Sequence, residues 1–259
     1  MEKLQNYFAA LSVLEDEEEV EGRQEERGKE AVAERSSVKK TGHGSKSGRD
    51  DGSGGKRQKD SGTEKEEGGE KASGTSPLRM PLVWIDLEMT GLDLEKDRVL
   101  EIACIVTDGR LENIIEGPDL IIKQAEVVLA GMGEWCQEHH TASGLVEGVR
   151  KSTLTEGEAE QQVLEFVQKH TGHAQPLLAG NSVYMDLMFM RKYMPTLAAR
   201  FSHVLVDVSS VRALCVRWYP KDAERAPGKK QRHRALDDIK ESIEELKYLR
   251  KAIFRQPQR

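Results

Sequence analysis

The sequence has few cysteines, few aromatic residues and no long apolar run. Cys104, Cys136 and Cys215 are widely spaced. Without paired or dense cysteines, neither a zinc site nor a secreted disulfide scaffold is expected, and a reducing compartment is predicted. No apolar segment approaches the roughly 20 residues that span a membrane, so no membrane partner is expected. The acidic run from Glu15 to Glu19 argues against a secretory or transit peptide. We therefore expect a cytoplasmic protein, with the mitochondrion and the nucleus left open.

A large excess of positive charge is also absent. Residues 77–259 hold 27 acidic and 25 basic side chains, a net charge of −2. Proteins that bind long nucleic acids usually carry a basic surface, because neutralised phosphates supply much of their affinity. If this chain acts on nucleic acid, bound cations must supply much of the positive charge. That requirement favours short substrates over long ones.

The first 76 residues differ in composition from the rest of the chain. They hold 18 acidic and 14 basic residues and 12 of the 23 glycines, and their only aromatic residues are Tyr7 and Phe8. Such a segment buries too little apolar surface to offset the entropy lost on ordering. We therefore predict that residues 1–76 form a disordered, charged, Gly/Ser-rich tail. Residues 77–259 are predicted to form one folded domain.

The pattern of apolar residues in the folded part predicts an α/β protein. Three strands with short connections are followed by strands that alternate with helices, which gives a mixed five-stranded sheet flanked by helices. This arrangement resembles a ribonuclease-H-like fold. The predicted strands are Leu82–Glu88, Arg98–Asp108, Leu111–Lys123, Pro176–Ala179 and Val204–Asp207, and the predicted helices are Glu134–Val149, Glu156–His170, Tyr184–Met194, Val208–Trp218 and Ala235–Ile253.

Two acidic residues at the end of the first predicted strand face the same side. Asp86 and Glu88 are two residues apart, and side chains alternate along a strand. Charged groups on a core face are unfavourable unless they are paired or bind a metal. By itself this pair is more typical of an exposed strand end whose two acids are solvated.

Two further acidic positions and a histidine lie at other element boundaries. Asp186 follows a Gly-Asn-Ser turn at a predicted helix start, where an acid is also favoured by the helix dipole. His233 precedes Asp238 by five residues, so the two can meet only if His233 lies in the loop before the helix. Asp237 is an alternative to Asp238, although it is also typical of a helix N-terminus.

Taken together, these groups predict a metal-dependent hydrolase of phosphodiester bonds. Asp86, Glu88, Asp186 and Asp238 offer only oxygen ligands, which favours Mg²⁺ or Mn²⁺ over zinc. Two such ions about 4 Å apart would stabilise the attacking and leaving oxygens of an in-line displacement. His233 has an ordinary pKa near working pH and would act as the general base toward water.

At these residues the chain resembles the oligoribonuclease family, within the His-containing branch of the DEDD exonucleases. The similarity includes Asp86-Leu87-Glu88-Met89-Thr90-Gly91-Leu92-Asp93, Gly180-Asn181-Ser182 with Asp186, and His233 with Asp238. It extends from Pro81 to about Phe254. The resemblance implies a homodimeric 3′→5′ exoribonuclease that degrades short RNA, down to dinucleotides, to 5′-mononucleotides. It also implies that the four acids hold two metal ions.

The resemblance also implies positions that contact the substrate. Leu92 and Trp135 would lie against the two bases, and His140 and Ser182 would contact the phosphate end. Ser209 would also contact the substrate, and a pair of residues just upstream of it would help to cap the terminal phosphate, partly across a dimer. Many family members have Tyr-Arg just upstream of that serine, where this chain has His203 and Val204. His203 can replace a tyrosine as a hydrogen-bond donor, but Val204 lacks the charge and fork of arginine.

Two other functions fit parts of the same pattern. A related exonuclease could act on DNA or on the 3′ ends of longer RNA, and a basic surface leading to the site would favour that function. A catalytically silent nucleic-acid-binding protein could share the fold. Loss of a ligand or of His233 would have favoured it, but all five residues are present.

Overall fold

The computed structural model of the protein describes residues 78–228 and 234–255. The predicted tail, residues 1–76, lies outside these ranges, as does His233. The described residues contain five strands. They are β1 (Leu82–Met89), β2 (Val99–Thr107), β3 (Ile114–Ile121), β4 (Leu177–Gly180) and β5 (Leu205–Asp207).

The five strands form one mixed sheet in the order β3-β2-β1-β4-β5. The pairs β1–β2 and β2–β3 are antiparallel, whereas β1–β4 and β4–β5 are parallel. The predicted meander, mixed sheet and ribonuclease-H-like fold are therefore confirmed. Because β1 is central, its C-terminal end lies beside the ends of neighbouring strands, where an α/β fold collects functional groups.

The helices in the described ranges agree with the predicted ones, with two differences. The predicted helix Glu134–Val149 is two helices, because Gly144 adopts a left-handed φ of 78° between them. Three helices of four or five residues were not predicted, and two of them begin at a proline. The helices are α1 (Glu126–Ala130), α2 (Glu134–Ala142), α3 (Leu145–Lys151), α4 (Glu156–Thr171), α5 (Tyr184–Tyr193), α6 (Pro195–Ala198), α7 (Val208–Trp218), α8 (Pro220–Ala223) and α9 (Ala235–Ala252).

Strand β1 contributes to the hydrophobic core on both faces of the sheet. Val83, Ile85 and Leu87 pack in the cluster that includes residues of α4 and α5. Trp84, on the opposite face, packs with buried residues of α7 and α9. Since side chains alternate along a strand, Asp86 and Glu88 share the face of Trp84. The register of β1 thus directs both acids toward the side where α9 packs.

Candidate active site

The N-terminal end of α9 brings a third acid to the pair on β1. Asp86, Glu88 and Asp238 each offer a carboxylate oxygen, and these atoms all lie within 4.8 Å of one another. Asp238 lies in the first turn of α9, where its backbone N–H donates to the carbonyl of Arg234 at 3.1 Å. Residues 150 positions apart in the chain therefore form one acidic cluster. Asp238, and not its alternative Asp237, belongs to it.

Asp186 reaches the same strand end from α5. Its side chain is 6% exposed, and its Oδ1 accepts a hydrogen bond of 2.9 Å from the backbone N–H of Leu87. Leu87 lies between Asp86 and Glu88 in the sequence, so the contact fixes the fourth acid beside the cluster. Asp186 nevertheless faces the strand backbone and is not one of the three acids that share the common 4.8 Å sphere.

The electrostatics of the cluster disfavour a full set of negative charges. Burial first, and then the charges of Asp238, Glu101 and Asp186, together raise the pKa of Glu88 to about 8, although the charge of Arg234 opposes them. Burial likewise raises the pKa of Asp186 to about 8. Both carboxyl groups are therefore held near their neutral form unless positive charge enters the site.

The donor set fits a hard divalent cation. Ligands on opposite sides of a Mg²⁺ or Ca²⁺ ion lie about 4–5 Å apart, twice the usual metal–oxygen distance. The three oxygens of Asp86, Glu88 and Asp238 fall within that span. A bound cation would also offset the negative charge gathered by these partly buried carboxylates. The acidic cluster therefore supports dependence on divalent metal.

His140 is buried directly against the acidic cluster. It is 2% exposed, and its Nε2 donates to the carbonyl of Met89 at 2.9 Å. Its Nδ1 lies 3.8 Å from Glu88 Oε2 and makes no hydrogen bond. Burial, the largest influence, lowers the pKa of His140, so a neutral imidazole presents the Nδ1 lone pair to the site. The predicted contact of His140 with the phosphate end stays a prediction.

Ser182 and Ser209 form a small hydrogen-bonded network around Asp207. Asp207 Oδ1 accepts from the backbone N–H groups of Ser182 and Ser209, both at 3.0 Å, and from the Ser209 hydroxyl at 2.6 Å. The Ser182 hydroxyl donates to Ser209 Oγ at 3.3 Å. Ser182 adopts a left-handed φ of 56°, which turns the chain between β4 and α5. The structure brings the two predicted serines together, and the charge of their common partner raises the Asp186 pKa slightly.

The two predicted base contacts differ in exposure. Trp135 is 53% exposed near the start of α2, and its ring stacks on His139 with centroids 4.0 Å apart. Leu92 is half-buried and packs against the core in the turn after β1. The following loop is held by the Tyr193 hydroxyl, which donates to the carbonyl of Asp97 at 2.7 Å. Trp135 is thus more than half exposed, whereas Leu92 is partly used in packing.

His203 is exposed at the edge of a separate shallow cavity. The cavity has a volume of about 510 Å³ and is also lined by Arg191, Leu187 and Phe201. No contact in the described residues links His203 to the acidic cluster. The predicted base His233 lies outside the described residues, directly before Arg234.

Glu101 and Arg234 are two site-adjacent residues that the sequence patterns did not single out. Glu101 is fully buried on β2, opposite Glu88 in the β1–β2 register. Glu101 is the only charged residue in β2, and every residue of that strand is buried. A single charged residue within an apolar strand was the sequence signal that could have identified it. Burial first, and the charge of Glu101 second, raise the pKa of Asp119 on the neighbouring strand β3.

The sequence is similar to known nucleases over most of the described domain. Residues 83–246 match the family model described as Exonuclease. The chain is 62% identical to an oligoribonuclease of Arabidopsis thaliana over 177 residues, which cover 68% of this chain and 80% of that protein. It is 50% identical to the human mitochondrial oligoribonuclease over 71% of this chain and 77% of that protein. A Marinobacter nauticus oligoribonuclease is 48% identical over 67% of this chain and 96% of that protein.

Solved structures of exonuclease I share the fold at low sequence identity. The E. coli enzyme in complex with a 5cy-dT13 oligonucleotide aligns with a TM-score of 0.52 at 17% identity, over 68% of this chain. The Methylocaldum szegediense enzyme aligns with a TM-score of 0.52 at 20% identity, over 67% of this chain. The chain spans 41% of the length of each of these structures, which bear on the fold alone. From the curated relatives and the matched domain, the chain belongs to the oligoribonuclease family of exonucleases.

Proposed function

We propose that this protein hydrolyses short RNA from the 3′ end with the help of two divalent ions, Mg²⁺ or Mn²⁺, at the acidic cluster. Its activity is that of a 3′→5′ exoribonuclease acting on short RNA. The observation that carries the mechanism is the meeting of Asp86, Glu88 and Asp238 within 4.8 Å, with Asp186 bonded to the strand between the first two. A shared site of one buried and three partly buried acids from three segments is costly unless it binds cations.

In the proposed mechanism the four acids would hold the ions, with Asp186 ionised. Cations held there would supply Lewis acidity to the scissile phosphate, the attacking water and the leaving oxygen. The Asp186 side chain is buried, and the hydrogen bond that its Oδ1 accepts from the Leu87 N–H holds it in one orientation. The carboxylates thereby need little rearrangement before reaction.

His233 is the proposed general base. An imidazole exchanges a proton near neutral pH, as deprotonation of water at the phosphate requires. Its neighbour Arg234 precedes the first turn of α9, which carries Asp238. In the sequence, the proposed base therefore comes just before the helix that carries one of the proposed metal ligands. Replacement His233→Ala should lower kcat and abolish the acidic limb of the pH–rate profile.

The substrate is proposed to bind between Trp135 and Leu92 at its bases and near Ser182, Ser209, His140 and His203 at its phosphate end. Trp135, whose side chain is exposed, is the residue at which this arrangement can be tested. Stacking on a base contributes about 1–3 kcal/mol, so Trp135→Ala should raise the KM for a dinucleotide roughly 5- to 150-fold. Phe254→Ala is the matched control, because Phe254 is 52% exposed and lies outside the proposed site. Equal KM values in both variants would contradict the assignment.

The substrate range can be tested with 5′-labelled RNA of two, five and twenty nucleotides and the corresponding DNA. Each is incubated with Mg²⁺, with Mn²⁺ or with chelator, beside Asp186→Asn. We expect rapid metal-dependent loss of the RNA dinucleotide to mononucleotides. Preference for the twenty-mer or for DNA would indicate a related exonuclease instead. Cleavage unaffected by Asp186→Asn, or none at all, would leave a silent nucleic-acid-binding protein.

A homodimer is proposed, with an exposed apolar surface on α7 as the contact. Leu214 and Trp218, one helical turn apart, are 43% and 65% exposed. Exposed apolar groups of this kind favour association with a second copy. Light scattering after size exclusion should show a dimer for the wild type and a monomer for Trp218→Lys. Val127→Lys, at a position 79% exposed on α1, should leave the dimer intact. A monomeric wild type would refute the proposal.

The cytoplasm is the proposed compartment. No helix in residues 78–228 or 234–255 has both the length and the apolar character to cross a membrane. The bovine and human relatives are named mitochondrial. Fractionation of cells that express the full chain with a C-terminal tag distinguishes the two: recovery with mitochondria would overturn the cytoplasmic assignment.

A further inference from the structure

Glu101 is a buried acid outside the acidic cluster, and its charge requires a positively charged partner. Its side chain is 0% exposed in the middle of an apolar strand, and an unpaired charge there would be strongly destabilising. Arg234 supplies the positive charge. Its Nε and Nη2 donate to Glu101 Oε1 at 3.0 and 2.7 Å. The ion pair joins β2 to the residue at which α9 begins.

The second oxygen of Glu101 also contacts the start of α9. Glu101 Oε2 accepts from the backbone N–H of Ala235 at 3.3 Å. The carboxylate therefore accepts hydrogen bonds from an arginine side chain and from an N–H of the first helical turn, which has no acceptor within the helix. One buried side chain determines where the helix starts relative to the sheet.

The position of this helix end decides the position of Asp238. The Asp238 N–H is bonded to the Arg234 carbonyl at 3.1 Å, and Glu101 lies opposite Glu88 in the strand register. We infer that Glu101 and Arg234 are positioning residues for the proposed reaction. They hold Asp238 in register with Asp86 and Glu88. This inference rests on the proposed function.

A second ion pair on α9 provides a matched control. Glu245 is 2% exposed, and its Oε1 accepts from Arg212 Nη1 at 2.9 Å. The arginine exposures are similar, 31% for Arg212 and 37% for Arg234. Glu245 lies two helical turns from Asp238, about 10 Å along the axis. Both pairs attach α9 to its neighbours, but only the first adjoins the acidic cluster.

The test compares Arg234→Gln with Arg212→Gln in the full-length protein. Steady-state kinetics use a five-nucleotide RNA at saturating Mn²⁺, calorimetry measures Mn²⁺ binding without RNA, and thermal unfolding measures stability. We expect both variants to lower Tm, because each leaves a buried glutamate without its arginine. Arg234→Gln alone should lower kcat or weaken Mn²⁺ binding by about 10- to 100-fold, with little change in KM. Arg234→Lys should restore part of the loss.

Two further variants isolate the contact itself. If Glu101 and Arg234 act through one ion pair, Glu101→Gln and the double variant should lose no more activity than Arg234→Gln alone. A loss of kcat in Arg212→Gln equal to that in Arg234→Gln would reduce the pair to a structural role and overturn the inference. So would a change confined to KM, which would make Arg234 an RNA contact. A wild type without Mn²⁺-dependent RNA cleavage would instead refute the proposed function.

Discussion

Two groups of carboxylates in this domain differ in what faces them. Glu101 and Glu245 each face an arginine, so their charge is balanced within the folded chain. Three acids of the cluster lie within 4.8 Å of one another, and burial first, then like charge, raises the pKa of Glu88 to about 8. Gathering like charges in this way is unfavourable unless cations bind among them. The cluster therefore fits a site for cations from solution.

The same comparison separates stability from function along α9. Its Arg234 end meets the cluster, and the part around Glu245 meets α7. Changes at the cluster should affect activity and relieve repulsion, and changes at either arginine-paired acid should reduce stability. Only the pair of Glu101, beside the cluster, should affect activity as well. Each of the following predictions tests that separation, beginning with the largest expected effect.

Asp186→Asn should separate activity from stability most strongly. The asparagine oxygen can still accept from the Leu87 N–H, but it brings no charge to the cations. Loss of several kcal/mol of transition-state stabilisation corresponds to a fall in kcat of about 10³-fold. In chelator at pH 8, the variant should unfold at a higher temperature than the wild type, since a buried charge is gone. A variant that loses stability while remaining active would break the comparison.

The metal-free protein should become less stable as pH rises. The Glu88 and Asp186 pKa values are about 8 in the folded state, against ordinary values of 4.5 and 3.8. Between these limits the folded state holds protons that the unfolded state has released, so stability is full near pH 4 and is lost as pH rises toward 8. Thermal unfolding in chelator across pH 5–8.5 measures this slope.

Divalent metal should remove that pH dependence. Mg²⁺ or Mn²⁺ at a fixed concentration of 100 times its Kd at pH 8 should stabilise the fold by about 2.7 kcal/mol at that pH, and by less at lower pH, where protons compete for the acids. The same series with Asp186→Asn serves as the control and should show a shallower slope in chelator. A pH dependence that is identical with and without metal would contradict a cation site at these acids.

Gly91→Ala should disturb Asp97, an acid whose carboxylate accepts hydrogen bonds from uncharged donors. Asp97 accepts from the Thr90 hydroxyl at 2.9 Å and from the Asp93 N–H at 2.8 Å. A Cβ at Gly91 would lie 2.5 Å from Asp97 Oδ2. We expect a loss of about 1–3 kcal/mol in denaturant unfolding. Gly157→Ala, where a Cβ meets nothing within 4 Å, should cause no loss. Equal behaviour of the two variants would exclude the close contact.

Arg150→Gln should have the smallest effect. Its partner Glu126 accepts from Arg150 Nε at 2.9 Å, but the side chains are 45% and 68% exposed. Exposed ion pairs contribute little because water and salt screen them. The Tm and kcat should both match the wild type within error, in contrast to Arg212→Gln. A Tm loss as large as that of Arg212→Gln would show that burial does not explain the difference between the two pairs.

Much of the fold could be predicted because it follows local periodicity. The strand Leu82–Met89 and the helices Tyr184–Tyr193 and Val208–Trp218 agree with the predicted ranges within a residue or so. The helix break at Gly144 was missed, because a glycine within a helical pattern shows its left-handed φ only in the folded chain. The short helices at Pro195 and Pro220 offer too few residues to show a period.

By itself, the sequence determined the alternation that puts Asp86 and Glu88 on one face, the family resemblance and the identity of the candidate ligands. Only the tertiary structure decided that Asp238 and not Asp237 joins them, since that depends on where α9 begins. It also decided that Glu101 fixes this beginning, and that Asp186 is oriented by a backbone N–H. These are contacts between segments far apart in the chain, and local patterns carry no information about which distant partner a buried charge will meet.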